Sequence, residues 1–249
     1  MSFIARFLGL VSIAVAPAAC GAAGQAADGA AWTPLFNGKD LSGWVLKSKP
    51  KDREKAERFW KVDAGTILVD SMDDKNHDYV WLLTEKEYGD FELELRVQGY
   101  KDSPGNSGVQ VRSRYDDAAG WLDGPQVDLN PPGPWRCGFI YDETRTVKKW
   151  LWPDVGGPAN AKPEHAPKGW TWKFHDQDGG WNDVRIVCRG TSIKTFINGV
   201  AVADYDGAGR LDDANHRKFN VGMRGHIALQ LHTGDRLRFR FKETRIRAL

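Results

Sequence analysis

The sequence predicts an all-β sandwich, and three observations carry that reading. Apolar and polar residues alternate with a period of two through most of the chain after residue 60, which marks half-buried strands. Asn198-Gly199 separates Lys194-Thr-Phe-Ile197 from Val200-Ala-Val202. Asn-Gly favours the paired positive φ angles of a type I′ hairpin turn. The 3.6-residue rhythm of helices is nearly missing, while 27 Gly and 12 Pro supply turns.

The 249 residues suit one large domain or two small ones. A core of that size needs no disulfide staples. Charged residues make up 27% and hydrophobic residues 41%, which excludes a disordered tail and a polytopic membrane protein. Lys+Arg 35 against Asp+Glu 33 leaves a net charge of +2. With no basic cluster, nucleic acid is not an expected partner. The 11 Trp suit a site that stacks flat apolar faces such as sugar rings.

Along the chain, residues 1–30 read as an export signal. Arg6 precedes the apolar run from Phe7 to Val15, and an Ala-rich exit follows. That run is too short for a good membrane-spanning helix. Cys20 follows Pro-Ala-Ala and is a candidate lipid anchor, with simple cleavage between Ala23 and Ala27 as the alternative. The product would be periplasmic or held at the outer membrane of a bacterium. Residues 31–249 then form one domain.

Lys51 to Arg58 has room for a charged helical turn or two. Asp63-Ala-Gly65 marks a first hairpin, between Trp60-Lys-Val62 and Ile67-Leu-Val69. Strands follow at Phe91–Val97, Val109–Arg112, Gln126–Leu129, Asp183–Cys188, Ile227–His232 and Leu237–Phe241. Residues 142–180 read as a long loop rich in Pro and Gly, ordered by Trp150, Trp152, Trp170 and Trp172. Of the remaining cysteines, Cys188 alternates with Val184 and Ile186 and reads as a small core residue. Its pairing with Cys137 is left open. No CxxC or paired Cys/His spacing points to structural zinc.

Six segments, in order, resemble the 3-keto-disaccharide hydrolase family. They are Trp32-Thr-Pro-Leu-Phe-Asn-Gly-Lys-Asp-Leu-Ser-Gly-Trp44, Asn106-Ser-Gly-Val-Gln-Val-Arg112, Gly180-Trp-Asn-Asp-Val-Arg-Ile186, Ile197-Asn-Gly-Val200, Gly225-His-Ile-Ala-Leu-Gln-Leu-His232 and the run from Phe241 to Leu249. The resemblance implies a concanavalin-like jelly roll of two antiparallel sheets, with a carbohydrate site on the concave sheet. It implies cleavage of a glycoside oxidised to a ketone at C3. A base removes the acidic C2 proton, the glycosidic oxygen leaves C1, and water adds. Gln126 stands where many members carry Glu, and Asp128 where they carry Gln. The strand Phe139-Ile-Tyr-Asp-Glu-Thr-Arg145 resembles a subgroup. The fold therefore transfers, and the family's acid/base assignments do not.

Strand parity nominates the residues for that chemistry. Val127 and Leu129 point to the core, so Gln126 and Asp128 share the other face. Ile227, Leu229 and Leu231 do the same for Gln230 and His232. Asp128 is expected as base or metal ligand and His232 as proton shuttle. Arg112, sharing a face with Gln110 and Arg114, is expected to hold the enolate oxygen or a pair of sugar hydroxyls. Gln126, Gln230, Asn106, Tyr141, Asp142, Arg145 and Trp150 are expected to bind substrate, with Trp81 and Trp152 as further stacking platforms. Glu92 and Glu94 read as a paired, solvated face, or as alternative acids. Asp128, Glu94 and His232 could together hold a divalent ion such as calcium or manganese. Two other functions fit the same chain: a two-carboxylate glycosidase and a non-catalytic carbohydrate-binding module.

Overall fold

Alternation along the chain becomes two sheets in a computed structural model, which describes Met1 and residues 30–177 and 179–249. The export signal and Cys20 fall on residues 2–29, outside the described residues. The chain starts with β1 (Thr33–Pro34), β2 (Trp44–Ser48) and a short helix, α1 (Arg53–Phe59). A hairpin of β3 (Trp60–Asp63) and β4 (Thr66–Asp70) follows, then β5 (Val80–Thr84), β6 (Phe91–Gly99) and β7 (Ser107–Asp116). Next come β8 (Trp121–Asp123), β9 (Pro125–Leu129), β10 (Ile140–Asp142) and β11 (Lys149–Trp152). The last third gives β12 (Trp181–Arg189), β13 (Ser192–Ile197) and β14 (Val200–Asp206), then α2 (Ala214–Phe219), β15 (His226–Leu231) and β16 (Arg238–Ala248).

Among the described residues the sixteen strands make two eight-stranded antiparallel sheets. The β6 sheet runs β14-β13-β12-β6-β16-β4-β3, with β1 added on β16. The β7 sheet runs β11-β10-β9-β7-β15-β5-β2, with β8 paired to β7. Both expected hairpins form, and each has the paired positive φ angles of a type I′ turn. Ala64 and Gly65 lie at 48° and 71°, Asn198 and Gly199 at 50° and 79°. Neighbours in sequence are often not neighbours in the sheet, as when β5 leads to β6 in the opposite layer. That crossing makes a jelly roll rather than a meander.

The inner faces meet in one core. Leu93, Leu95 and Val97 of β6 and Ile186 of β12 oppose Val109, Val127 and Leu229 of the β7 sheet. Each such side chain is 0–2% exposed, and full burial of one is worth roughly 1.5–3 kcal/mol. Cys188 is a buried core residue, and Cys137 is buried as a separate free thiol. No helix among the described residues is long and apolar enough to cross a membrane.

The sequence pattern missed three local features. Residues 142–180 are not one loop, because β11 pairs back onto β10. Its sequence, Lys-Trp-Leu-Trp, is short and lacks alternation. Helix α2 escaped because six residues hold too little periodicity, although Asp213 caps it with a carboxylate accepting the His216 N–H at 2.8 Å. The third concerns Arg112. His226 pairs with Ser113 but Ala228 pairs with Gln110, so β7 carries one residue more than β15 across that step. This bulge breaks the parity that placed Arg112 with Gln110. Arg112 adopts a φ of 49° and is 0% exposed. Its guanidinium donates to the carbonyls of Gly89, Gly190 and Gly222 and to Asp90 Oδ1 at 2.9 Å. It is a structural clamp joining loops of both sheets, and it does not reach the site described below.

Replacing Arg112 by Met should cost about 2–4 kcal/mol of unfolding free energy, since three carbonyls lose a buried donor while the exposed Asp90 can rehydrate. Urea titration of the purified variant checks this.

Candidate active site

Core packing on one face of the β7 sheet decides what its other face can do. Val127 and Leu129 point inward, so Gln126 and Asp128 point outward. Gln126 lies opposite Gln110, which lies opposite Ala228; Asp128 lies opposite Gly108. Part of this outer face is covered. The β7–β8 hairpin folds over it, and Trp81, Leu83, Trp121, Leu122 and Ala228 form a second, smaller apolar cluster. Trp81 is therefore 0% exposed and serves as foundation for Tyr79, which stacks on it at 5.3 Å.

The uncovered part is a pocket of about 210 Å³ lined by Tyr79, Asn106, Gln126, Asp128, Arg136, Tyr141, Glu143, Lys148, Trp150, Pro158 and His232. Gly108 shapes its floor. A Cβ there would lie 2.4 Å from Gln126 Cδ, so the Gln126 side chain lies across the bare backbone. The side-chain oxygens of Gln126 and Asn106 are buried without a hydrogen-bond partner. Buried acceptors of that kind are satisfied by donors such as sugar hydroxyls.

Charge is concentrated here. Arg136, on a 3₁₀ turn at Pro134–Arg136, donates to Asp128 Oδ2 at 2.6 Å. Burial pushes the Asp128 carboxyl up, and Arg136, His232 and the Asn106 amide oppose that rise. Tyr79 Oη lies 2.9 Å from His232 Nε2, and Asp235 Oδ2 lies 3.1 Å from His232 Nδ1. Burial works against a charged His232, but the hydrogen bond and charge of Asp235, with Glu143 behind it, outweigh burial and raise its pKa. Tyr79 and Tyr141 are both raised by burial, Tyr141 to about 12.

Glu143 is the residue that sequence reading passed over in favour of Asp142. It is 7% exposed. Its main chain is held by the Gly124 carbonyl and by the Trp121 indole N–H, which donates to Glu143 O at 2.9 Å. Burial raises its carboxyl to about 7, against the opposing charges of Lys148 and His232. Lys148 sits 3.8 Å over the Trp121 ring. The signal for Glu143 was present in strand parity. Tyr141 lies opposite Gln126, so Tyr141 and Glu143 face the pocket while Asp142 faces away. Arg136 and Lys148 sit in turns, and Tyr79 precedes a strand buried on both faces, so parity does not identify them.

The remaining expected residues are placed as follows. Asp128, His232, Gln126, Asn106, Tyr141 and Trp150 meet around the pocket. Trp150 is a wall residue, 2% exposed and edge-on to Tyr141. Gln230 lies below the surface beside Trp81, fully buried with both amide atoms unpartnered. Asp142 points to the opposite side of its strand and meets His216 at 2.9 Å. Arg145 is committed to Asp116 and Asp123, each at 2.8 Å. Trp152 donates its indole N–H to Val202 O, outside the pocket lining.

The set Asp128, Glu94 and His232 does not converge. Glu94 lies on the β6 sheet, bound by Arg245, while Asp128 is engaged by Arg136 and His232 by Tyr79 and Asp235. No cluster of three His, Cys, Asp or Glu suited to a metal ion occurs among the described residues.

A larger cavity, about 710 Å³, lies on the outer face of the β6 sheet. Its charges pair with one another: Glu94 with Arg245 at 2.6 Å and Arg96 with Asp183 at 3.0 Å. Glu92 nearby takes Arg185 and Arg247. The smaller pocket, with an unpaired buried carboxyl and orphaned amide oxygens, is the better candidate for chemistry.

Residues 31–247 match the family model of the 3-keto-alpha-glucoside-1,2-lyase-like domain. Two solved structures provisionally described as glycosyl hydrolases, both from Parabacteroides distasonis ATCC 8503, share the fold. One is 18% identical with a TM-score of 0.54, covering 88% of this chain and 94% of the other. The second is 21% identical with a TM-score of 0.50, covering 88% and 100%. Comparison with curated proteins finds no match.

Because Glu143 holds its proton more tightly folded than unfolded, its ionisation works against folding as pH rises from its ordinary value of 4.5 through about 7. Glu143→Gln should therefore be more stable than wild type above pH 7, by up to about 3 kcal/mol. Near pH 4 the two should converge. Thermal or urea unfolding of both proteins across that range is the check.

Proposed function

Since the chain belongs to the 3-keto-alpha-glucoside-1,2-lyase-like domain family, we propose that this pocket cleaves 3-keto-glycosides by elimination followed by hydration. The observation that carries the reading is Glu143, a buried carboxyl with a pKa of about 7 facing a pocket lined by Arg136 and Lys148. A base is most effective when its pKa lies near the working pH. A C2 proton beside a ketone needs such a base, and the enolate it leaves needs a cation in a poorly hydrated site.

In this scheme the Glu143 carboxylate takes the C2 proton. The C2–H electron pair moves into the enolate, C2=C3–O⁻; the C3 carbonyl then re-forms as the C1–C2 double bond forms and the C1–O bond breaks. Arg136, held by Asp128, and Lys148 steady the charge growing on the C3 oxygen. Tyr79 gives its hydroxyl proton to the departing oxygen and takes one from His232 Nε2, 2.9 Å away, whose other ring nitrogen faces Asp235. Hydration reverses the roles: Tyr79 takes a proton from water as the water oxygen joins C1 and passes one back to His232, and Glu143 returns its proton to C2. The sum is hydrolysis with no covalent enzyme intermediate. Gln126 and Asn106 accept hydrogen bonds from sugar hydroxyls, and Tyr141 and Trp150 form the apolar wall. No step requires a metal, and the donor set described above does not fit one. The sequence pattern of residues 1–30 supports placing this reaction outside the cytoplasm.

With an aryl 3-keto-glucoside, kcat/KM should rise with pH through about 7 as Glu143 ionises. Glu143→Gln should lower kcat by about 10²–10⁴-fold. Aglycone release measures both. Equal turnover of the unoxidised aryl glucoside would instead favour an ordinary glycosidase, and binding without release a carbohydrate-binding module.

A further inference from the structure

Asp142 and Glu143 are adjacent carboxyls on opposite sides of one strand end. Asp142 is 0% exposed. Its Oδ1 accepts the Thr144 N–H at 2.9 Å, and its Oδ2 lies 2.9 Å from Nε2 of His216, itself 1% exposed. His216 Nδ1 lies 2.9 Å from Asp213 Oδ1. A bent Asp142–His216–Asp213 bridge therefore fastens α2 to β10, immediately behind Glu143.

We propose that His216 is a positioning residue for Glu143, acting through Asp142. The bridge fixes which way the strand end faces, so Glu143 can reach the pocket only while Asp142 is held on the other side. It also matters electrically. Asp142 acts on Glu143 through space and disfavours its ionisation. Its nearest compensating cation is protonated His216. Burial opposes that protonation, but Asp142 and then Asp213 outweigh it, so the His216 pKa is raised. Tyr205 of β14 and Tyr141 of β10 are the other titratable groups that feel the Asp142 charge, and burial raises each to about 12. Arg145 touches the same helix only through the Phe219 ring, its guanidinium being engaged by Asp116 and Asp123.

The inference rests on Glu143 as the base, and two variants of the full chain test it. His216→Gln keeps a donor toward Asp142 but removes the cation. Asp142→Asn removes the anion but keeps an acceptor for Thr144. The Glu143 carboxyl is followed by ¹³C NMR titration, its signal identified by loss in Glu143→Gln. The midpoint should rise by at least about half a pH unit in His216→Gln and fall by a similar amount in Asp142→Asn. With an aryl 3-keto-glucoside, the acid limb of kcat should move with it, while KM stays within about threefold. A purely structural role would shift both variants the same way or neither, and either result in folded protein overturns the proposal. Should His216→Gln fail to fold, Asp142→Asn decides alone: an unchanged or raised midpoint refutes the linkage. If wild type cleaves no 3-keto-glycoside, the proposed reaction falls, but the titration still decides the coupling.

Discussion

The β7 sheet must bury one face, and almost everything at the site follows from that constraint. A strand has a period of two, so each residue committed to the core sends its neighbours outward. Val127 and Leu129 are 0% exposed on the core side, which fixes Gln126 and Asp128 without any polar preference of their own. The same rule on β10 turns Tyr141 toward the pocket and Asp142 toward α2. A hydrophobic requirement thus sets the address of the charges borne on strands, and electrostatics then decides what each charge does there.

Those decisions differ among three carboxyls in one neighbourhood. Asp128 has a guanidinium in direct contact and works as an anchor. Asp142 has an imidazole in direct contact and works as a counterweight. Glu143 has cations nearby but no hydrogen-bonded partner among the main influences on it, and burial carries it to about 7. The difference between a carboxyl held by a cation and one left without such a contact comes from the partner at hydrogen-bond distance, because all three are buried.

This also explains what the sequence could and could not reveal. The sandwich, both hairpins and the outward face of β9 were legible, because period and turn chemistry act over a few residues. The same parity gave the direction in which Asp128 and His232 point. Arg112 was misplaced because a bulge on β7 shifts the count by one, and a bulge leaves no mark in the apolar pattern. Asp142 was preferred to Glu143 because the turn after β10 hid where the strand ended. Arg136, Lys148 and Tyr79 reach the pocket from turns and strand ends, where only tertiary geometry sets direction. The Trp residues divided unevenly. Trp81 and Trp121 became floor and cover, and Trp150 became wall.

Gly108 gives the pocket its depth by subtraction. Every other position around the floor contributes a group, whereas this one contributes the space in which Gln126 reclines. The depth of the recess is therefore written in a missing methyl group, and the reach of a sugar toward Asp128 is governed by the smallest residue in the row. A cavity made this way can be closed by one added carbon, which would drive the Gln126 side chain off the bare backbone.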